Sequence, residues 1–188
     1  MAPSSWPRLT FAIHEGRPTR VVNTNFEGIS NYGFRMVNLE VKTADELSTW
    51  LPGMWEDYAN ERIKAGEDPA SAQKGALAQK EQLFPNGDPA EGQFVMNVLV
   101  DEDVVGTLWM GQPFSGSRDT WFVFDVEIAK GHRGRGYGRA AMQAAEQWTR
   151  NRGGNRVALK VFGPNLAARS LYDSLGYEVL ATSMFKDL

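Results

Sequence analysis

The sequence predicts an α/β fold in which helices flank a mixed, mostly antiparallel sheet. The runs "FVMNVLV" and "VVGTLWM" alternate apolar residues and are separated by Asp101, Glu102 and Asp103, which indicates an antiparallel hairpin. The strand "WFVFDVEI", a glycine-rich turn, an amphipathic helix and the strand "RVALKVF" form a crossover unit, whose two strands are expected to be parallel. With 188 residues, 42% of them hydrophobic, the chain suits one domain with a full core.

The chain is divided into an N-terminal extension, residues 1–30, and a main domain, residues 31–188. In the extension "TFAIHE" and "TRVVNTN" flank "GRP", which favours a hairpin, whereas Pro3, Pro7 and Pro18 equally suit an extended arm. The following segment "YGFRMVNL", from Tyr32, alternates apolar residues and is predicted to be a strand.

A helical section follows this first strand. Thr43 or Asp45 is placed to cap a helix over "TADELSTWL", and Pro52-Gly53 then predicts a kink or a new helix start. Helical spacing resumes from Met54 to Ala65, and a second helix is predicted from Asp68-Pro69 to Phe84. Turn residues in "PNGDPAEG" end the section.

The second half carries two more helices and the closing strands. After the hairpin and the loop "GQPFSGSRD", the helix that follows the glycine turn has small and aromatic residues along one side and is ended by Gly153-Gly154. A short helix is predicted to begin at Pro164-Asn165 and to stop at Gly176. The last segment, "YEVLATSMF", is predicted to form one long or two short strands.

Composition excludes several classes of function. The chain has no cysteine, so disulfides, thiolate nucleophiles and cysteine-bound zinc are excluded. His14 and His132 lie far apart in the sequence, and we expect no metal site. A net charge of −3 disfavours a general nucleic-acid binder. Without a signal-like or membrane-spanning apolar run, we expect a cytoplasmic protein with no membrane partner.

The stretch "KGHRGRGYGRA", residues 130–140, combines arginines and glycines at the predicted start of a helix. Amides in the first turn of a helix favour an anion, glycine allows close approach, and arginine binds phosphate oxygens. A Rossmann fingerprint fails at Arg139 or Ala141, and the chain contains no Walker motif. The stretch therefore predicts a local pyrophosphate site of another kind.

Two motifs resemble those of the GCN5-related N-acetyltransferase (GNAT) family. Arg133 to Gly138 fit the acetyl-CoA pattern R-x-x-G-x-G, and the later segment from Asn165 to Tyr177 fits N-x-x-A-x-x-x-Y-x-x-x-G-[FY]. The resemblance is specific from about Phe94 onward and implies the GNAT acyl-CoA N-acyltransferase fold. It also implies an enzyme that transfers an acetyl group from acetyl-CoA directly to a primary amine in a ternary complex.

The resemblance implies a set of cofactor-binding residues. It implies that the strand ending at Val126–Ile128 is bulged and splays from "VALKVF", so that pantetheine pairs with backbone groups on that edge. The residues expected to contact acetyl-CoA are Val126, Glu127, Ile128, Arg133, Gly134, Arg135, Gly136, Tyr137, Gly138, Arg139, Asn165, Ala168 and Tyr172.

Three residues are candidates for proton transfer. Tyr172 matches the family's general acid, and a tyrosine with an ordinary pKa of about 10 holds its proton at neutral pH. For the base, Asp125 and Glu127 alternate onto the face opposite Phe124, Val126 and Ile128, with Glu127 preferred and Asp125 second. Both carboxylates equally suit an ordinary polar strand face or salt bridges to the arginine turn.

Two other functions remain open from the sequence. One is an acyl-CoA-binding regulatory protein of the same fold without turnover. The other is an RNA or acidic-partner module that uses Arg133, Arg135 and Arg139 directly. The expected acceptor is a small-molecule amine or a peptide N-terminus, and a homodimer is compatible with the sequence. Its acidic and aromatic residues between Trp50 and Glu61 suit a cationic acceptor, although core packing explains them equally well.

Overall fold

The computed structural model describes residues 36–113, 119–184 and 186. Within these ranges the elements are β1 Asn38–Val41, α1 Ala44–Lys64, α2 Pro69–Leu83, β2 Gln93–Val100, β3 Asp103–Gly111, β4 Thr120–Ile128, α3 Tyr137–Asn151, β5 Arg156–Leu159 and α4 Leu166–Ser174. The strands form one sheet in chain order, β1 to β5. Neighbours pair antiparallel except β4 and β5, which are parallel, so the predicted mixed, mostly antiparallel sheet is confirmed.

The sheet separates two hydrophobic cores. On one face α3 packs through buried residues that include Tyr137, Ala141 and Trp148, three of the residues predicted to line that side. On the other face α1 and α2 cover a cluster centred on Trp55, Phe84 and Trp109. Because residues of a strand alternate between faces, β3 and β4 contribute to both cores.

Helix α1 runs without interruption through the position where a kink or new start was predicted. Pro52 lies inside it, and no new helix begins at Gly53. Proline removes one backbone donor and crowds the preceding turn. Thr43 and Glu46 form a capping box, and Leu51 is buried against the sheet, so capping and packing hold the helix across this point.

The predictions for α2 and for the β2–β3 hairpin are confirmed. The Asp68 side chain accepts a hydrogen bond from the Ser71 amide (3.0 Å), and Pro69 occupies the first turn of α2. Asp101 and Glu102 form the hairpin turn, in which Asp101 adopts a φ of 55°. Asp and Asn tolerate this left-handed conformation better than most residues.

The end of the chain differs from the prediction. Strand β5 ends at Leu159 rather than Phe162, and no strand forms over the described residues 177–184 of "YEVLATSMF". A segment with alternating apolar residues forms a stable strand only where a neighbouring strand supplies hydrogen bonds and one face is buried. Val179 and Leu180 remain 75% and 83% exposed, so neither condition is met within the described structure.

Two sequence predictions extend outside the described residues. The extension at residues 1–30 lies wholly outside them, as does the first part of the predicted strand at 32–35. The loop between β3 and β4 is described only at its ends.

Candidate active site

A β-bulge interrupts β4 at Phe124. Asp125 pairs with Trp109 on β3, whereas the next pair joins Met110 to Val123, so Phe124 is an extra residue on β4. A bulge of this kind breaks alternation and re-aims the side chains beside it. Strict alternation had placed Phe124 on the face of Val126, but that placement is wrong. Phe124 packs with the α1–α2 core, where its ring stacks on Trp109 at 4.6 Å.

Beyond the bulge, β4 separates from β5. The parallel pairing runs from Thr120 with Arg156 to Val123 with Leu159 and stops there. β4 continues to Ile128, while β5 has ended. The implied bulge and splay are thus confirmed, with the bulge located at Phe124, ahead of Val126–Ile128. The divergence leaves one edge of β4 without a strand partner in the described chain, as an extended ligand would require.

Asp125 lies at the head of this gap and has an unusual acidity. Burial, followed by the negative charge of Glu127, raises its pKa to about 7. A hydrogen bond from the Val126 amide acts in the opposite direction, and the charge of Asp57 on α1 raises the pKa slightly further. The charges that act on Asp125 come from the α1 side of the sheet, the side to which the bulge turns Phe124. A carboxyl group with this pKa exchanges a proton near neutral pH.

Glu127, the preferred base from the sequence, is placed differently. Its side chain is 55% exposed and pairs with the Arg133 guanidinium at 3.0 Å. The same guanidinium donates to the Ile128 carbonyl oxygen at 2.7 Å. Arg133 therefore connects the end of β4 to the glycine turn. Glu127 is fixed at the rim of the gap, and its charge acts on Asp125.

Tyr172 reaches the same region from α4. Its side chain is half-buried and packs against the α3-side core together with Val126 and Ile128. Burial, and then the nearby charge of Asp125, raise the pKa of the Tyr172 hydroxyl. Its ring lies 5.7 Å from that of Tyr177, whose hydroxyl donates to the Glu146 carboxylate at 3.3 Å. The charge of Asp125 therefore acts on Tyr172, and Tyr172 keeps its proton at neutral pH.

The glycine turn has an open surface at the start of α3. Gly134 and Gly136 adopt φ values of 73° and 84°, a conformation that favours glycine, and a Cβ atom on either would meet no neighbour within 4 Å. The first bond inside the helix runs from the Ala140 amide to the Gly136 carbonyl oxygen, so the amides of Gly138 and Arg139 have no partner in α3. Open space and helix-end amides suit an anionic group.

The three arginines of the turn are placed unequally. Arg133 is held by β4, and Arg139 donates to the carbonyl oxygen and hydroxyl of Ser174 on α4. Arg135 is exposed and forms no hydrogen bond or ion pair with the described residues. Gly138 differs from the other glycines, because a Cβ there would touch Leu171 at 3.5 Å. That distance is an ordinary van der Waals contact, so Gly138 lies where α4 packs on α3.

Asn165 caps α4 at the far side of the gap. Its side-chain oxygen accepts a hydrogen bond from the Ala168 amide at 3.1 Å, which confirms the helix start predicted at Pro164-Asn165. The side-chain nitrogen can still donate to a bound molecule. The cap fixes the first turn of α4 and, through the helix, the position of Tyr172.

A family model described as "Acetyltransferase (GNAT) family" matches residues 47–177, more than half of the chain. The chain belongs to the GNAT family. The uncharacterized N-acetyltransferase YycN of Bacillus subtilis (strain 168) is 30% identical over 146 residues, which cover 77% of this chain and 94% of YycN. The crystal structure of YycN superposes with a TM-score of 0.75 at 28% identity, over 81% of this chain and 99% of that one.

Streptothricin acetyltransferase of Streptomyces lavendulae is 31% identical over 91 residues, 48% of this chain and 47% of its own length. The structure of AAC(6')-Iy with a CoA bisubstrate analogue is 15% identical, with a TM-score of 0.51 over 81% of this chain and 97% of that one, and shows the shared fold. With N-acetyltransferases as its relatives, this GNAT protein is an acyl-CoA-dependent N-acyltransferase.

Two features are absent from the described part of the GNAT domain. Among its residues, no group of three or more His, Asp or Glu is placed to hold a metal ion. No described helix has the length and apolar character needed to cross a bilayer.

Sequence reasoning missed a ring contact between α1 and the segment after β5. Phe162, just after β5, lies 6.5 Å ring to ring from Tyr58 on α1. Little in the sequence signals this contact, because the pattern of "RVALKVF" predicts that Phe162 lies at the end of a strand. Only the early end of β5 shows that it belongs to a loop facing α1.

Proposed function

We propose that this N-acetyltransferase uses acetyl-CoA as its donor and acetylates a primary amine, with Asp125 as the base and Tyr172 as the acid. The observation that carries the assignment is the divergence of β4 from β5 directly after a bulge that turns Asp125 toward the gap. Burial and charge favour Asp125 over Glu127 as the base, because Glu127 is exposed and paired with Arg133.

The residues present fit a coenzyme A molecule. The open space at Gly134 and Gly136, with the amides of the first turn of α3, suits a pyrophosphate. Exposed Arg135 can bind phosphate oxygens, whereas Arg133 and Arg139 support the turn from behind. The edge of β4 over Val126, Glu127 and Ile128 suits pantetheine. Tyr137, Asn165 and Ala168 are the other residues proposed to contact the donor. When bound, the donor supplies an acetyl thioester.

Each residue then has one role in proton transfer. Asp125, when ionised, takes a proton from the acceptor ammonium, so that the neutral nitrogen attacks the thioester carbonyl. A backbone amide on the free edge of β4 stabilises the negative oxygen. As the carbon–sulfur bond breaks, Tyr172 donates its proton to the sulfur, and the nitrogen loses its second proton to solvent or base. The products are an acetamide and free coenzyme A.

Two experiments test the proposal. Calorimetry should detect binding of acetyl-CoA, and CoA release should be measured over polyamines, aminoglycosides, amino acids and peptide N-termini. The partial match to streptothricin acetyltransferase supports a small-molecule amine. Binding without CoA release across the panel would support the regulatory alternative, and absence of binding would contradict the cofactor assignment. A cytoplasmic location and a homodimer stay predictions.

A further inference from the structure

The middle of α1 lies over the bulge of β4. Trp50 on α1 packs edge-on against Trp109 at 6.2 Å, and Trp109 stacks on Phe124 at the bulge. One face of a helix repeats every three to four residues, so Met54, Asp57 and Tyr58 continue the face that begins at Trp50. Met54 and Tyr58 pack against the same aromatic cluster as Phe124. The carboxylate of Asp57 is therefore carried toward the gap beside Asp125.

Aromatic rings border this carboxylate. Tyr58 follows Asp57 in α1, and its ring meets Phe162 across the open end of the sheet. Both ring faces already attract cations, because the Arg62 guanidinium lies 5.6 Å from the Tyr58 centroid and the Lys160 ammonium 5.8 Å from that of Phe162. Aromatic rings next to a carboxylate form a favourable environment for a positively charged group.

One of the two cations at these rings is paired with a carboxylate. Arg62 donates two hydrogen bonds to Glu67, both at 2.7 Å. The hydrogen bonding by Arg62, and then the charges of Arg62 and, more weakly, Lys160 lower the pKa of Glu67. Arg62 is therefore engaged by Glu67, whereas Lys160 is exposed at the Phe162 ring.

Asp57 forms no such ion pair. It is exposed, no described cation lies within 4 Å of its carboxylate, and its negative charge acts on Asp125 and on Lys64 at the end of α1. Asp125 must itself become negative to act as base, so the charges of Asp57 and Glu127 then repel that of Asp125. A ligand that brings positive charge between them relieves this repulsion.

We propose that the acceptor carries a second positive charge besides the amine that is acetylated, and that Asp57 binds this charge beside the Tyr58 ring. The inference rests on the proposed function, since it assumes that the reacting nitrogen lies at Asp125. It identifies the substrate class as diamines and larger polycations. Asp57 is then a residue that determines specificity, while Asp125 performs the chemistry.

Three amines of similar length that differ at the far end test this proposal: putrescine with an ammonium, n-butylamine with a methyl group and γ-aminobutyrate with a carboxylate. The kcat/KM ratio of putrescine to n-butylamine is expected to be about ten, from an exposed ion pair and a cation–π contact together. γ-Aminobutyrate should be the poorest substrate. Asp57→Asn should reduce the ratio to about two, because the aromatic contact remains.

Glu56→Gln provides a matched control. Glu56 is also acidic and exposed, and it is the immediate neighbour of Asp57, but it lies outside the face that Trp50, Met54 and Tyr58 share. This variant should keep a ratio of about ten. A ratio near one in the unmodified chain, a ratio that survives Asp57→Asn, or an equal loss in Glu56→Gln would each overturn the proposal.

A second measurement separates this inference from the proposed function. If none of the three amines causes CoA release, none of them is an acetyl acceptor. Calorimetry of the same amines with CoA present then tests the role of Asp57 separately from turnover. Putrescine should then bind about tenfold more tightly than n-butylamine, and Asp57→Asn should remove most of that difference. Equal affinities would reject the acceptor class.

Discussion

The pH dependence of turnover tests the role of Asp125 most directly. A base with a pKa of about 7 must be ionised to accept a proton, so kcat/KM should rise with pH and level off above that value. About two units below the pKa, roughly 1% of the carboxyl is ionised, and kcat/KM should be about a hundredfold below its plateau. Asp125→Asn should lower the plateau by about a hundredfold or more and abolish the acidic limb.

Glu127→Gln is the matched control for this profile. Glu127 raises the pKa of Asp125 through its negative charge, so its removal should shift the acidic limb to lower pH while the limb persists. The measurement is the initial rate of CoA release at subsaturating amine from about pH 5 to 9. An acidic limb that persists in Asp125→Asn and disappears in Glu127→Gln would refute the assignment and restore Glu127 as the base.

Folding stability gives an independent test of the same pKa. The Asp125 pKa in the folded state, about 7, is higher than the ordinary 3.8, so the neutral carboxyl favours folding at low pH and this contribution is lost as pH rises through 7. The difference of about three units bounds the effect at about 4 kcal/mol. Relative to the unmodified chain, Asp125→Asn should gain unfolding free energy as pH rises from about 4 to about 7, and the gain should level off above pH 7. No change in urea denaturation over that range would show that the carboxyl is not perturbed.

Three further predictions concern Tyr172 and two glycines, and each glycine substitution has a matched control. Tyr172→Phe should lower kcat by about a hundredfold or more while acetyl-CoA binding in calorimetry stays within about twofold; full turnover at every pH would exclude the acid role. Gly136→Ala should weaken acetyl-CoA binding and cost about 1–2 kcal/mol of stability, because its φ is 84°, whereas Gly131→Ala, with no positive φ and open space, should change little. Gly106→Ala should destabilise the protein by about 1–3 kcal/mol in urea, because its Cβ would collide with a carbonyl oxygen of β4; Gly53→Ala, within a helix and facing open space, should stabilise it by up to about 1 kcal/mol.

Much of the fold followed from local signals in the sequence. Three helix starts were predicted at Thr43 or Asp45, at Asp68-Pro69 and at Pro164-Asn165, and the capping side chains in the structure are Thr43, Asp68 and Asn165. Such signals depend on residues within one turn of each other, and for that reason they can be recognised without the tertiary structure. The glycine turn also followed, because its motif lies between a strand and an amphipathic helix in the chain.

The failures concern interactions between distant segments. Pro52-Gly53 predicted a kink or a new helix start, and the new start is wrong because capping and burial of neighbouring residues hold α1 together. The closing segment alternates like a strand but has no partner in the described structure. Alternation also placed Phe124 on the wrong face, since a bulge depends on how β3 and β4 align and no residue type announces it.

The bulge also explains why the more buried carboxyl is the better base. Without the extra residue, alternation would place Phe124 and Asp125 on opposite faces, and stacking of Phe124 on Trp109 would turn Asp125 toward the α3-side core. With the extra residue, both side chains turn toward α1. The stack of Phe124 on Trp109 then lies on the same side of the sheet as the Asp125 carboxyl and limits its contact with water. The same extra residue ends the pairing with β5 and opens the gap. Deleting Phe124 should therefore remove catalysis and close the β4 edge together, whereas Phe124→Leu should preserve the bulge and most of the activity.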